Sequence, residues 1–344
     1  MTDLILHIGL PKTATTTLQR HILPNFPAYL GTHYGEAGPD FAQGLLKRAP
    51  VAPLESTEDP AAADWARQLL DHKDERFPDA SCIVISHESL TNRQTYGPDD
   101  LWPVESASAA ESGEGARPFP IISFLETFSE KVWQRGDVKV LLTLRNQPDW
   151  LASLYAQKSA HIKRASQRDF EDRVRRLIRN GNAYLDWSAW VHHLRQAIGA
   201  DNLCVLPMEE MDRPAFWQDL ADFLGLDRLP EETPAAFNRQ QENARRTQSD
   251  SWAIRPLKTW NVSLKRHLKR AYERRDETPP RLVRKVAALA DSAVSAPYLK
   301  FHERQREMEI RLPDDLRSTI QDYCRPFNQR LAEQLGRDLS HLGY

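Results

Sequence analysis

Four short apolar runs punctuate the first two thirds of the chain. Residues 4–9 (LILHIG), 82–86 (CIVIS), 138–144 (VKVLLTL) and 203–206 (LCVL) have the length and composition of buried strands. Between them, residues 61–71, 121–135, 149–161, 169–180 and 184–198 read as helices. Strands alternating with helices predict parallel pairing. The expected fold class is therefore α/β: a three-layer parallel sheet with helices on both faces. After residue 211 the pattern is nearly all helical. This helical C-terminal extension should end in a helix with Pro313 at its start and Gly336 just past its end. Residues 49–62 and 105–118 (ESASAAESGEGARP) lack apolar content to bury and read as loops. With no internal repeat and no clear linker, the expected organisation is one domain over 1–344. Residues 1–211 form its α/β core and 212–344 its mostly helical part.

Composition narrows this picture little. Hydrophobic residues at 40% and charged residues at 27% are ordinary for a globular protein. No run of about 18 apolar residues predicts a membrane span. The start, MTDLILHIGL, has neither the basic nor the long apolar stretch of a signal peptide. Cys82, Cys204 and Cys324 are scattered, with no CxxC and no histidines at ligand spacing. They fit a reducing cytoplasm and argue against a zinc site or a disulfide set. Charge adds one feature. The net −2 divides into +10 over residues 239–306 and −12 over the remainder. The basic third could meet nucleotide phosphates, an acidic glycan or an anionic lipid surface, or be a solvated helical face.

The candidate chemistry begins where the first strand ends. His7-Ile-Gly-Leu-Pro-Lys-Thr-Ala-Thr-Thr-Thr17 runs from a strand through small residues into a helix. That context offers free backbone N–H groups and a positive helix end, which suit a phosphate. Thr15, Thr16 and Thr17 add hydroxyls and Lys12 a mobile charge. A Thr-rich helix cap would look similar. The Walker A pattern GxxxxGK[ST] is absent. The third strand runs into LLTLRNQPDWLAS. Arg145 stands at the edge where α/β sheets bind ligands, and Ser153 follows eight residues later. A phosphotransferase of the P-loop type would carry an aspartate for Mg²⁺ at such a strand end. Here the residue is a cation.

Together the two segments resemble the 3′-phosphoadenosine 5′-phosphosulfate (PAPS)-dependent sulfotransferases. GLPKTATTTL resembles that family's 5′-phosphosulfate loop, Gly-x-Pro-Lys-Ser/Thr-Gly-Thr-Thr, and RN(x)PD…S its 3′-phosphate element. The resemblance implies a P-loop NTPase-like sulfotransferase fold with the PAPS-binding core in 1–211 and an acceptor-facing part in 212–344. It implies that Pro11, Lys12, Thr13, Ala14, Thr15, Thr16 and Thr17 line the donor's 5′ end, Lys12 meeting the bridging oxygen. Arg145 and Ser153 would hold the 3′-phosphate. Ala14 stands where the family has glycine, a strained choice if φ there is positive. Thr17 and Met208 replace aromatic residues that hold adenine in many members. The family's late Arg-Lys-Gly element is missing, and Arg245 and Arg246 are the nearest substitutes. Candidate bases for the acceptor hydroxyl are Glu88 first, then His87 and Glu36.

The expected activity is metal-independent transfer of a sulfuryl group from PAPS to a hydroxyl on a carbohydrate, lipid or small metabolite, leaving PAP, with no nucleic-acid partner. A small-molecule kinase with an atypical phosphate loop and a non-catalytic PAP-binding module stay open. Apolar Leu257, Trp260, Leu264, Leu268 and Tyr272, flanked by Lys258, Lys265, Arg266, Lys269 and Arg270, suggest either a core-packed helix or one lying on the inner face of an anionic membrane. Trp187, Trp190, Trp252 and Trp260 would suit stacking on sugars or a core.

Overall fold

The computed structural model describes residues 2–10, 12–13, 15–26, 28–31, 41, 44, 60–87, 120–162, 164–226, 251–257, 280–283, 285–287, 289 and 306–344. Pro11, Ala14, Glu36, Glu88, Arg245, Arg246, residues 258–272 and both expected loops (save 60–62) lie outside the described residues.

Strands β1 (Asp3–His7), β2 (Cys82–Ser86), β3 (Val138–Leu144) and β4 (Leu203–Pro207) coincide with the four apolar runs to within two residues. They form a parallel sheet in the order β2-β1-β3-β4. Side chains alternate between faces along a strand, and both faces are apolar. Ile5, Val84, Leu141 and Leu206 join Leu18, Ile22, Phe26, Phe216 and Trp217 in one core cluster. Their neighbours of opposite parity, Leu4, Leu6, Ile83, Ile85, Val140 and Leu142, are buried as well. Such runs, apolar on both faces through their central positions, are what a parallel sheet covered on both faces requires.

Helices occupy the intervals between strands. After β1 a short helix α1 (Thr15–Thr17) passes into a π-helical turn at Leu18–Ile22 and a 3₁₀ turn at Leu23–Asn25. Further along lie α2 (Pro60–Arg76), α3 (Pro120–Thr127), α4 (Gln147–Lys158), α5 (Gln167–Asn180), α6 (Trp187–Ile198), α7 (Pro214–Leu224) and α8 (Asp314–Leu335). Helix α7 packs on β4, α6 packs on β3 and β4, and α3 packs on α6. The pattern over 184–198 is shortened because Asp186 interrupts it. Its carboxylate accepts the Ala189 amide at 3.0 Å and starts α6 at Trp187. The last helix follows Pro313 and stops at Gly336, whose φ of 65° only glycine adopts without strain.

The chain divides into two compact units. One comprises Met1–Trp150, Leu177–Ala244 and Arg317–Tyr344, and holds the sheet; the other comprises Leu151–Arg176 and Arg245–Leu316. The second unit contains strands that the helical pattern did not suggest. β5 (Ser251–Ala253) pairs antiparallel with β6 (Glu309–Arg311), each too short for alternation to register in the sequence. Polar contacts tie this unit together. The Arg306 guanidinium donates to the carbonyls of Ser159 (2.6 Å) and Arg255 (2.9 Å), and the Arg255 amide donates to Ser159 Oγ (2.8 Å). Tyr155 donates its hydroxyl to Asp169 (2.8 Å) and accepts the Ser166 amide (3.0 Å).

Candidate functional site

The strand order creates one place where chain connections diverge. From β1 the chain goes to β2 on one side; from β3 it goes to β4 on the other. The carboxyl ends of β1 and β3 are therefore a topological switch point, the position where open α/β sheets take ligands. The segment 8–17 leaves β1 there, and Arg145 leaves β3 there.

At the β1 end, neutral groups fix the backbone. A Cβ on Gly9 would run into Thr143 Oγ1 and lie 2.6 Å from Thr15 Cγ2 and 2.9 Å from His7 Nε2. Glycine is demanded here by closeness alone. Thr13 is fully buried; its hydroxyl donates to the Leu10 carbonyl at 2.5 Å and lies 2.8 Å from Thr143 Oγ1. His7 Nε2 lies 3.5 Å from Thr143 Oγ1, and His7 Nδ1 lies 2.7 Å from Ser86 Oγ. Gln19 donates to that same hydroxyl at 2.9 Å. Burial pulls the His7 imidazole down to about 3, so it stays neutral and passes hydrogen bonds on both sides. A buried network thus links β1, β2, β3 and the helix after the loop. Lys12 has φ 70°, a left-handed conformation uncommon outside glycine. Among the described residues of this loop, Lys12 is the one non-glycine residue with positive φ; Ala14 lies outside the described residues. Thr15 and Thr17 are buried, while Thr16 and Lys12 are partly accessible.

At the β3 end, charge dominates. Arg145, 13% exposed, donates from Nη1 to the Lys12 carbonyl at 3.4 Å, joining the two strand ends. Asn146 caps α4: its side-chain oxygen accepts the Asp149 amide at 3.0 Å. Asn146 is in turn gripped by Glu209, whose Oε1 accepts both its amide and its Nδ2 at 2.9 Å. Tyr344 donates to Glu209 Oε2 at 3.2 Å. Burial pushes the Glu209 carboxyl up, while the Asn146 amide and Arg145 oppose that rise. Asp149 stands in the first turn of α4, 3.1 Å from Arg317 Nη2 and 4.0 Å from Arg145 Nη2.

No family model matches this chain, and no curated protein matches it. Among solved structures it is similar to a sulfotransferase from Alicyclobacillus acidocaldarius. That match has a TM-score of 0.42 and 14% identity over 99% of this chain and 98% of the other. It is also similar to the sulfotransferase domain of the Synechococcus PCC 7002 olefin synthase, with a TM-score of 0.31 and 14% identity over 68% and 76% of the two chains. Likenesses this distant decide nothing about chemistry. The functional reading rests on the residues at the two strand ends.

Of the residues expected from sequence, Lys12, Thr13, Thr15, Thr16 and Thr17 follow the carboxyl end of β1 and Arg145 follows that of β3. Ser153 is buried in α4. His87 follows β2 directly, 8% exposed, with its amide donating to the His7 carbonyl at 3.2 Å. Met208 is partly buried against the cluster of Phe216 and Trp217. Trp187, Trp190 and Trp252 are core residues. Trp187 packs edge-on against Trp150 with centroids 5.2 Å apart. Sequence reasoning missed Thr143, Ser86, Gln19, Glu209 and Arg317. Three of these carry a signal: Thr143, Ser86 and Gln19 are polar residues within apolar stretches, which demands a buried partner. Nothing distinguishes Arg317 from the chain's other basic residues.

Proposed function

We propose that this protein is a PAPS-dependent sulfotransferase that transfers a sulfuryl group to an acceptor hydroxyl. The observation that carries the reading is Arg145 at the carboxyl end of β3, joined through the Lys12 carbonyl to a phosphate-type loop at the end of β1. A kinase needs an anion for Mg²⁺ near that point; a nucleotide phosphorylated at its 3′ position needs a cation there. The donor set fits a two-ended anion: backbone amides and hydroxyls around residues 12–17 for the 5′ end, guanidinium for the 3′ end.

Sulfuryl transfer asks the protein to position groups in line and stabilise charge on the departing phosphate oxygen. Lys12 carries the charge for that task. Its left-handed backbone turns the residue within a loop that the Thr13–Thr143 contact keeps rigid. The acceptor hydroxyl needs a base within hydrogen-bond reach. Glu88 is the first candidate, immediately after His87 at the carboxyl end of β2; Glu36 is the third. Ser153 contributes a hydroxyl to the 3′-phosphate. The acceptor is a carbohydrate, lipid or small metabolite, and the protein works in the cytoplasm. Among the described residues no helix is long and apolar enough to cross a membrane. Contact of the basic 239–306 region with an anionic membrane or acidic glycan is part of this proposal.

The test is PAP release from PAPS with a panel of hydroxyl acceptors. The reading expects release that depends on an acceptor and on Lys12. Glu88→Gln should keep PAP affinity and lose most turnover. Phosphoryl transfer from ATP to the same panel would favour the kinase reading. PAP binding without release from PAPS under any acceptor would favour a non-catalytic module.

A further inference from the structure

The site has one cation too few at its 3′ end if Arg145 acts alone. Arg145 already faces a carboxylate: Asp149 Oδ2 lies 4.0 Å from its Nη2. A phosphate monoester brings about −1.5 to −2. Delivered to one guanidinium beside a carboxylate, it would meet repulsion.

The C-terminal helix supplies a second guanidinium. Arg317, in the first turns of α8, reaches Asp149 Oδ1 with Nη2 at 3.1 Å and is 29% exposed. Asp149 therefore lies between two arginines, hydrogen-bonded to Arg317 and beyond hydrogen-bond reach of Arg145. Asp149 does not need Arg317 to be stable where it stands. It occupies the first turn of α4, where the helix dipole favours a negative charge, and the Asn146 cap already binds its amide. What the contact does achieve is to hold the flexible Arg317 side chain beside the β3 edge.

We propose that Arg317 is a second arm of the 3′-phosphate clamp, paired with Arg145 across Asp149. This rests on the reading of the site as one for a nucleotide phosphorylated at both ends. It assigns to α8 the role that the sequence pattern gave to Arg245 and Arg246. In this arrangement Asp149 orders the Arg317 guanidinium by a hydrogen bond, and an arriving phosphate takes hydrogen bonds from both arginines. Arginine suits this role because its rigid fork can serve a carboxylate on one edge and a phosphate on another.

The experiment is calorimetric titration of the full-length protein with PAP and with adenosine 5′-phosphate, which lacks the 3′-phosphate. The quantity read is the ratio of the two affinities. Wild type should prefer PAP by about a hundredfold or more. In Arg317→Ala the ratio should fall by about tenfold or more while adenosine 5′-phosphate affinity holds. Arg317→Gln, which keeps a donor for Asp149 and much of the side chain, should lower the ratio similarly and covers the case in which the alanine variant does not fold. An unchanged ratio in the folded variants, whether both affinities drop together or neither moves, makes Arg317 a strut of α8 and overturns the proposal. A wild-type protein with no preference for PAP fails differently: it removes the 3′-phosphate reading itself.

Discussion

The ends of β1 and β3 are neighbours in one sheet and are built by opposite means. At the β1 end the side chains beneath the loop are neutral, buried and hydrogen-bonded to one another: Thr13, Thr143, His7, Ser86 and Gln19. They shape the backbone of the loop in which Lys12, partly accessible, carries a positive charge. At the β3 end acidic and basic side chains stand together: Glu209 grips Asn146, and Asp149 lies between Arg145 and Arg317. The first end can discriminate by geometry, since amides and hydroxyls in fixed positions accept only a group of the right shape. The second can discriminate by charge. A substrate anchored by charge at one end and reacted at the other gains orientation from a part of itself that does not change.

Substitutions at the two ends should therefore fail in different ways. The largest effect is expected at Lys12. Lys12→Met should lower turnover by about 10²–10³-fold, since it removes charge stabilisation needed mainly in the transition state, with PAP affinity changed far less. Steady-state kinetics beside PAP titration measures both. Arg145→Ala should do the reverse: PAP affinity falls by about a hundredfold, while adenosine 5′-phosphate affinity is nearly preserved. If both substitutions depressed binding alike, the division of labour between the ends would be wrong.

Smaller effects fall on the neutral network. Gly9→Ala should cost about 1–3 kcal/mol of stability, because the added methyl meets Thr143, Thr15 and His7. Thr143→Val keeps the shape and removes the hydroxyl shared by Thr13 and His7, for a cost of about 1–3 kcal/mol in denaturant unfolding. The same network also carries a pH effect. Burial lowers the folded-state pKa of His7 to about 3, below the roughly 6.5 of an unfolded histidine. Between those values the unfolded chain binds the extra proton. The contribution is thus fully present above about pH 6.5 and is lost as pH falls toward 3, by at most about 1.4 kcal/mol per pH unit. In His7→Asn the slope of unfolding free energy against pH over this window should decrease by up to one proton.

The same contrast explains what could be read from the sequence. All four sheet strands were legible because a doubly covered parallel sheet favours near-continuous apolar runs, and Ile83–Ile85 or Val140–Leu142 allow little else. The β1 loop was legible because its residues are contiguous: Gly9, Lys12 and the threonines form one local pattern. Arg145 was legible from its place directly after a buried strand. Lys12's left-handed backbone was not, since nothing in a lysine side chain announces a positive φ. Glu209 and Arg317 were invisible because their roles depend on contacts 63 and 168 residues away in sequence. Thr143 and Ser86 lay between, as polar residues inside strands whose partners only the folded sheet supplies. The β5–β6 pair was missed because three residues per strand show no period.

The central claim is that this site takes a nucleotide carrying phosphates at both the 5′ and the 3′ positions. Calorimetric titration of the wild-type protein with PAP, and separately with ATP and Mg²⁺, tests it most directly. The account predicts PAP binding that is at least about a hundredfold tighter than ATP binding and that weakens in Arg145→Ala. Tighter binding of ATP with Mg²⁺, or PAP binding indifferent to Arg145, would contradict it.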